Sequence, residues 1–287
     1  MGEHLVVVIG IDRPHSLTMV SASTLADWGR TFDECLELAV DNLGKAEPIR
    51  FEAHDLGFHF AVCDDRNPAA RLLTPEVFAA LPLRGEPVVV AAARMAVVVA
   101  GSEDAGALAG IATFVPGYLR DETRPLSYAP MVFRDGQWRD FEASPLHPAI
   151  ADLHTLQRLF DYDDQRPLKQ NWLDEEERPE DVAGLTVLTI DGALRSILLW
   201  ETPQSVLPRA DFVVRRLPHR GCVVRAWADV DRAFGGLKPE PPPYAPYYTA
   251  ADPLDPEALL RLEAAPEPEF ARGKGFGMVH GRLTVMG

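Results

Sequence analysis

His54, Asp55 and His59 are the tightest grouping of metal-ligating residue types in this chain. Residues five apart on a strand point to opposite faces, so the two imidazoles do not converge. None of the eight histidines forms HExxH or another compact ligand pair, which favours solvated or core-edge histidines. A hard cation would look to Asp161, Asp163, Asp164 and the run Asp174 to Glu177. These lack the regular ligand positions and turn glycine of a calcium loop. Arg158, Arg166, Lys169 and Arg178 are interleaved with them, as on a solvated helix face. Gly273-Lys274-Gly275-Phe276-Gly277 lacks the spacing of a phosphate loop. There is no GxSxG and no SxxK, and Cys35, Cys63 and Cys222 have no CxxC partner. No catalytic, cofactor-binding or metal-binding residue is therefore assigned from the sequence. A hydrolase site assembled from distant residues stays as the alternative.

The elements that would position any site read as strand pairs alternating loosely with helices. Leu5 to Ile11 and Leu17 to Val20 predict a hairpin turning at Asp12-Arg13-Pro14, and Ser23 or Thr24 caps a short turn ending at Gly29. A helix is expected from Thr31 to Leu43, with Thr31 and Glu34 as a capping box, Gly44 as its stop and one buried face: Phe32, Cys35, Leu36, Ala39, Val40 and Leu43. Strands follow at Ile49 to Phe51 and Phe58 to Val62, then a short helix from Thr74 to Leu81. The apolar runs either side of Arg94-Met95 predict a hairpin. Ser102 is the expected cap of the next helix, with Gly106 and Gly110 allowing close approach of a neighbour. Residues 116–147 read as irregular apart from a turn at Asp135-Gly136, and Pro148 to Trp172 as a helix partly broken at Pro167. Asp191-Gly192 between LTVLTI and ALRSILLW is the strongest hairpin signal. Phe212 to Leu217 with Cys222 to Trp227 form another pair, and Val230 to Phe234 a short helix. Nine prolines between Pro239 and Pro268, with three of the six tyrosines at Tyr244, Tyr247 and Tyr248, describe an extended strap. Within it Asp255 to Glu263 is expected to be helical, and Gly281 to Val285 a final strand. The expected class is α+β, with mixed or antiparallel sheets from hairpin-plus-helix units. The expected organisation is an N-terminal α+β lobe at 1–117, a second at 118–236 and a Pro/Tyr-rich extension at 237–287.

The 287 residues carry 43 acidic and 28 basic side chains, a formal charge of −15. That field repels a phosphate backbone and an anionic bilayer, so neither nucleic acid nor membrane is an expected partner. The longest apolar stretch, Val88 to Ala100, is too short to span a bilayer and contains Arg94. Glu3 and Asp12 flank the first apolar run where a signal peptide would carry basic residues. Three scattered cysteines point to reduced thiols in a cytoplasm. Only four basic residues are Lys and only three residues are Asn, the bias of a GC-rich bacterial genome.

Three stretches, taken in order, carry a resemblance. They are Asp27-Trp28-Gly29 with the helix ending in Asn42-Leu43, Arg124-Pro125-Leu126-Ser127 with FRDGQW, and Asp191-Gly192 followed by Trp200 and Leu207-Pro208-Arg209-Ala210-Asp211. The chain resembles the YtpQ-like bacterial proteins, a domain of unknown function, over roughly residues 5 to 217. The resemblance implies a cytoplasmic α+β protein of bacterial origin and transfers no activity. Asp27, Trp28, Gly29, Asn42, Arg124, Pro125, Trp200, Pro208 and Asp211 are its motif positions, each read as structural: aromatic anchor, helix cap or turn. The element order from Thr31 to Val115 is also similar to that of type III secretion chaperones. The functional expectation is a protein-binding adaptor or chaperone-like module, with a basic or partly unfolded partner and an oligomeric state left open.

Overall fold

A computed structural model describes residues 1–13, 16–46, 48–142, 147–217, 221–240 and 247–272, with backbone alone at 275–279 and 282–286. Outside the described residues lie Pro14 of the first turn, His15, Pro145, His219, Tyr244, Gly273, Lys274, His280 and Gly281. The chain forms two compact units, Met1–His154 and Thr155–Gly287. Both combine helices with antiparallel or mixed sheets, so the fold is α+β.

The first unit opens with a hairpin of β1 (Gly10–Arg13) and β2 (Ser16–Met19), then helices α1 (Ala22–Asp27) and α2 (Phe32–Lys45). Next come β3 (Arg50–Ala53), β4 (His59–Val62), a 3-10 turn at Pro68–Leu73 and α3 (Glu76–Ala79). They are followed by β5 (Pro87–Ala93), β6 (Ala96–Gly101), α4 (Ala105–Leu119), β7 (Met131–Arg134) and β8 (Gln137–Asp140). The last six strands make one antiparallel sheet in the order β3-β4-β6-β5-β7-β8. Residues 118–142, expected in a second lobe, thus add a strand pair to this sheet, with Val88 opposite Val132.

The β5–β6 hairpin is apolar on both faces because both are covered. Val88, Val90, Ala92, Val98 and Ala100 face a core with Ile111 and Val115 of α4 and Ile150 and Leu153 beyond it. The alternate residues Val89, Ala91, Val97 and Val99 face Leu72, Phe78 and Trp138. Gly110 is required where α4 crosses the chain at Leu56, since a Cβ there would lie 2.3 Å from the Leu56 carbonyl oxygen, whereas Gly106 meets only Asp104 at 3.5 Å. The cap of α4 is Asp104, accepting from Ala107 N at 3.0 Å, and not Ser102, whose hydroxyl accepts from Glu86 N at 2.9 Å. The helix also runs through Pro116, expected to lie in irregular chain, because Val115 and Leu119 one turn apart are both buried.

α5 (Pro148–Glu175) runs through Pro167 without breaking. Tyr162 and Leu173 on either side of the proline are buried in one cluster, which offsets the lost hydrogen bond. In the second unit β9 (Asp181–Val182), β10 (Gly184–Ile190), β11 (Ala193–Trp200), β12 (Ser205–Pro208), β13 (Phe212–Leu217) and β14 (Gly221–Ala226) precede α6 (Trp227–Ala233). β15 (Lys238–Pro239), β16 (Tyr247–Thr249), α7 (Pro256–Ala264), β17 (Gly275–Val279) and β18 (Arg282–Met286) complete it. One sheet is ordered β10-β11-β13-β14 and another β15-β16-β12-β9. The turns at Asp135-Gly136 and Asp191-Gly192 carry positive φ at both residues (52° and 76°, 52° and 79°), as the hairpin chemistry requires. Of the Pro/Tyr-rich strap, the described Tyr247 is buried in β16 and pairs with Pro208, and Tyr248 packs edge-on to Trp227.

Candidate binding surface

Every residue from Leu5 to Ile11 except Gly10 is a large aliphatic, a pattern that asks for cover on both faces. Only one face receives it. Val7, Ile9 and Ile11 are half-buried, whereas Val6 is 85% exposed and Val8 is exposed beside it. Leu17 and Met19 on β2 are exposed too. Leu5, Val7, Leu17, Leu72 and Ala91 wall a cavity of about 340 Å³ under this arm, with the exposed Arg94 among its lining residues.

The two helices that follow are locally well specified. Ser21 caps α1 by accepting from Thr24 N at 3.2 Å, and Gly29 at φ +62° turns the chain toward Thr31. Thr31 Oγ1 accepts from Glu34 N at 3.2 Å while Glu34 Oε2 accepts from Thr31 N at 2.9 Å, the reciprocal capping box expected from the sequence. Neither helix holds a buried residue. The expected buried face of α2 is therefore corrected: Cys35, Leu36, Ala39, Val40 and Leu43 are half-buried, and Phe32 is exposed. The physical reason is that α2 has only the Pro68–Leu73 turn as a substantial neighbour, too little surface to cover a helix face. Gly44 does not stop the helix either, since it ends at Lys45. Trp28, Arg30, Glu34, Cys35, Glu37, Leu38 and Asp41 line an open depression of about 650 Å³, a mix of apolar side chains, three carboxylates and one guanidinium.

Of the motif positions, Asp27 ends α1, and Trp28 follows it 48% exposed, not as the packed anchor expected. Asn42 lies inside α2, where its carbonyl accepts from Ala46 N at 3.2 Å. Arg124 N donates to Glu122 Oε1 at 2.9 Å, and Pro125 bridges to Ala93 at the sheet edge. In the second unit Trp200 is buried beneath the Arg215 guanidinium, 4.0 Å from its ring. Pro208 ends β12, and Asp211 Oδ2 accepts from both Ser196 N and Ser196 Oγ at 2.8 Å.

Lys169, expected on a solvated helix face, is instead buried, in one of three ionic groups tied into the fold. Lys169 Nζ lies 3.3 Å from Glu240 Oε2 and 4.1 Å from the Trp172 ring centre, and Arg178 shares Glu240 at 2.9 Å while holding Glu180 at 2.6 Å. Burial raises the Glu240 pKa, but its bonds to Arg178 and Lys169 more than reverse this and hold it below the carboxylate range. The signal available was Lys169 three residues before Trp172, on one helix face. Burial pushes the Arg215 guanidinium down to about 10, and it donates to the Thr202 and Pro253 carbonyls at 3.1 and 3.2 Å. In the first unit burial, then the Asp65 bond, pushes the Cys63 thiol up to about 11. Asp65 accepts from Cys63 Sγ at 2.8 Å and from Arg71 at 2.7 Å. Lys169, Glu240 and Arg178 are tied to one another, as are Cys63, Asp65 and Arg71, and Arg215 is held by backbone carbonyls, which suits holding a fold more than turning over a substrate. A cavity of about 210 Å³ beside Gln204, Ser205 and Pro253 has Glu180 as its carboxylate, already paired with Arg178. Compared with family models, curated proteins and solved structures, the chain matches none of them.

Proposed function

We propose that this chain is a non-enzymatic protein-binding module, of adaptor or chaperone-like kind, whose partner docks on the face built by residues 6–41. One observation carries this reading. Among the described residues, seven of the thirteen exposed large apolar side chains fall between Val6 and Leu38: Val6, Val8, Leu17, Met19, Trp28, Phe32 and Leu38. Apolar surface concentrated in this way is the mark of an interaction site. Glu37 beside Leu38, on a chain of net charge −15, favours a basic amphipathic partner segment, while Glu34 and Asp41 already face Arg30 and Lys45. Membership of the YtpQ-like bacterial proteins and likeness to type III secretion chaperones belong to the same proposal. So does a reducing cytoplasm, which the free thiols of Cys35, Cys63 and Cys222 favour. No helix among the described residues is long and apolar enough to cross a membrane. The hydrolase alternative draws no specific observation among the described residues.

The test captures the tagged chain and its Trp28→Glu, Leu38→Glu double variant from the native cytoplasm after mild cross-linking, then rebinds the purified partner across a salt series. Both substituted positions are exposed, so the fold tolerates the change. The expected result is a stoichiometric partner, basic at its contact segment, held by the parent chain and released by the variant and by salt. Equal retention by the variant would overturn the reading. So would light scattering that shows a dimer in the parent chain and a monomer in the variant, because the face would then cover a second copy.

A further inference from the structure

We propose that Glu3, His4 and Asp140 form a site for one divalent transition-metal ion of the zinc type. One donor atom from each lies within 4.8 Å of the other two. His4 Nε2 stands 3.3 Å from Asp140 Oδ2. Two ligands on a tetrahedral ion with bonds of about 2.0–2.1 Å are separated by roughly this distance. The third carboxylate is that of the exposed Glu3, with an oxygen within 4.8 Å of the donor atoms of both His4 and Asp140.

The backbone builds this arrangement. Met1 N donates to Leu5 O at 3.0 Å and Leu5 N to Met1 O at 3.3 Å, closing a turn that Gly2 N anchors to Trp138 O at 3.1 Å. Gly2 sits at φ +57°, and a Cβ there would lie 2.5 Å from Asp140 Oδ1, so this position admits only glycine without a shift. Asp140, the last residue of β8, divides its two oxygens. Oδ1 accepts from Glu3 N at 3.2 Å, which fixes the plane of the carboxylate, and Oδ2 faces His4. An outer hydrogen bond that orients a ligating carboxylate is a regular feature of metal centres. His4 and Asp140 side chains are 20% and 14% exposed, and Glu3 beside them is exposed. One imidazole with two carboxylates and solvent suits zinc, cobalt or manganese; copper(I) would call for thiolate or thioether. The inference does not rest on the proposed function.

The probe is Co²⁺ added to the metal-free chain, read by visible d–d absorption and displaced by Zn²⁺. The expected result is saturation at one equivalent, with affinity lowered on the order of tenfold or more in His4→Gln and Asp140→Asn. Glu3→Gln serves as the variant that cannot unfold the chain, and it lowers affinity too. Absence of saturable absorption, or Co²⁺ binding unchanged in Glu3→Gln and His4→Gln, would overturn the site.

Discussion

α2 and α7 start from the same sequence logic and reach opposite ends. Each is amphipathic, and each is capped by a side chain, Thr31 on Glu34 N and Asp255 on Glu257 N. α7 buries Ala258 and Leu262, the latter in a core with Trp200, Val213 and Trp227, and Arg225 closes its end by donating to the Leu262 and Glu263 carbonyls at 2.8 Å. α2 buries nothing. Periodicity therefore reports that a helix has an apolar face and is silent on whether its own chain supplies the cover. In α7 the cover is intramolecular; in α2 it is left for another molecule under the proposed function.

The comparison breaks most readily at its leucines. Leu262→Ala is expected to cost about 2–5 kcal/mol, through lost burial and the cavity left behind. Leu38→Ala is expected to stay within about 0.5 kcal/mol. Denaturant unfolding of the two variants measures both, and equal losses would mean that α2 is a core element. Arg225→Met is expected to cost about 1–3 kcal/mol, because it strands buried carbonyls at the end of α7. The caps sharpen the contrast further. Thr31→Ala and Asp255→Ala each remove about 1 kcal/mol from their helix. The first should appear only as faster local exchange in α2, the second as a lower global midpoint.

A smaller effect concerns acid. Burial raises the Asp65 carboxyl, but Cys63, the Asn67 amide and Arg71 bring it below its ordinary range. A depressed folded value adds stability above the unfolded pKa and loses it as pH falls through the folded one. The gap in stability between the parent chain and Asp65→Asn is thus expected to be widest above about pH 5 and to narrow below about pH 4. A gap that widens toward acid would contradict the assignment.

Much of the framework was legible in the residues. The Asp-Gly turns, the Thr31–Glu34 box and the hairpin across Arg94-Met95 are local chemistry, settled by a few neighbouring side chains. What stayed hidden was tertiary. Pro116 and Pro167 read as breaks but are carried inside helices by buried residues on either side. The strap reads as extended chain, and the pairing of Tyr247 with Pro208 has no local signature. Lys169, Glu240 and Arg178 are distant in sequence, so their shared cage has no local signature. Trp28 reads as a packed anchor and is instead exposed, which turned a structural expectation into the strongest aromatic element of the candidate surface.

Hydrogen exchange of the purified chain, compared between α2 and the β5–β6 hairpin, tests the central claim most directly. A helix with no fully buried side chain opens locally, well below the global unfolding free energy. The account predicts that α2 amides exchange orders of magnitude faster than those of Val88 to Ala100 in the isolated chain, and slow once the partner is bound. Protection of α2 equal to that of the hairpin in the isolated chain would contradict it, because the face would already be covered.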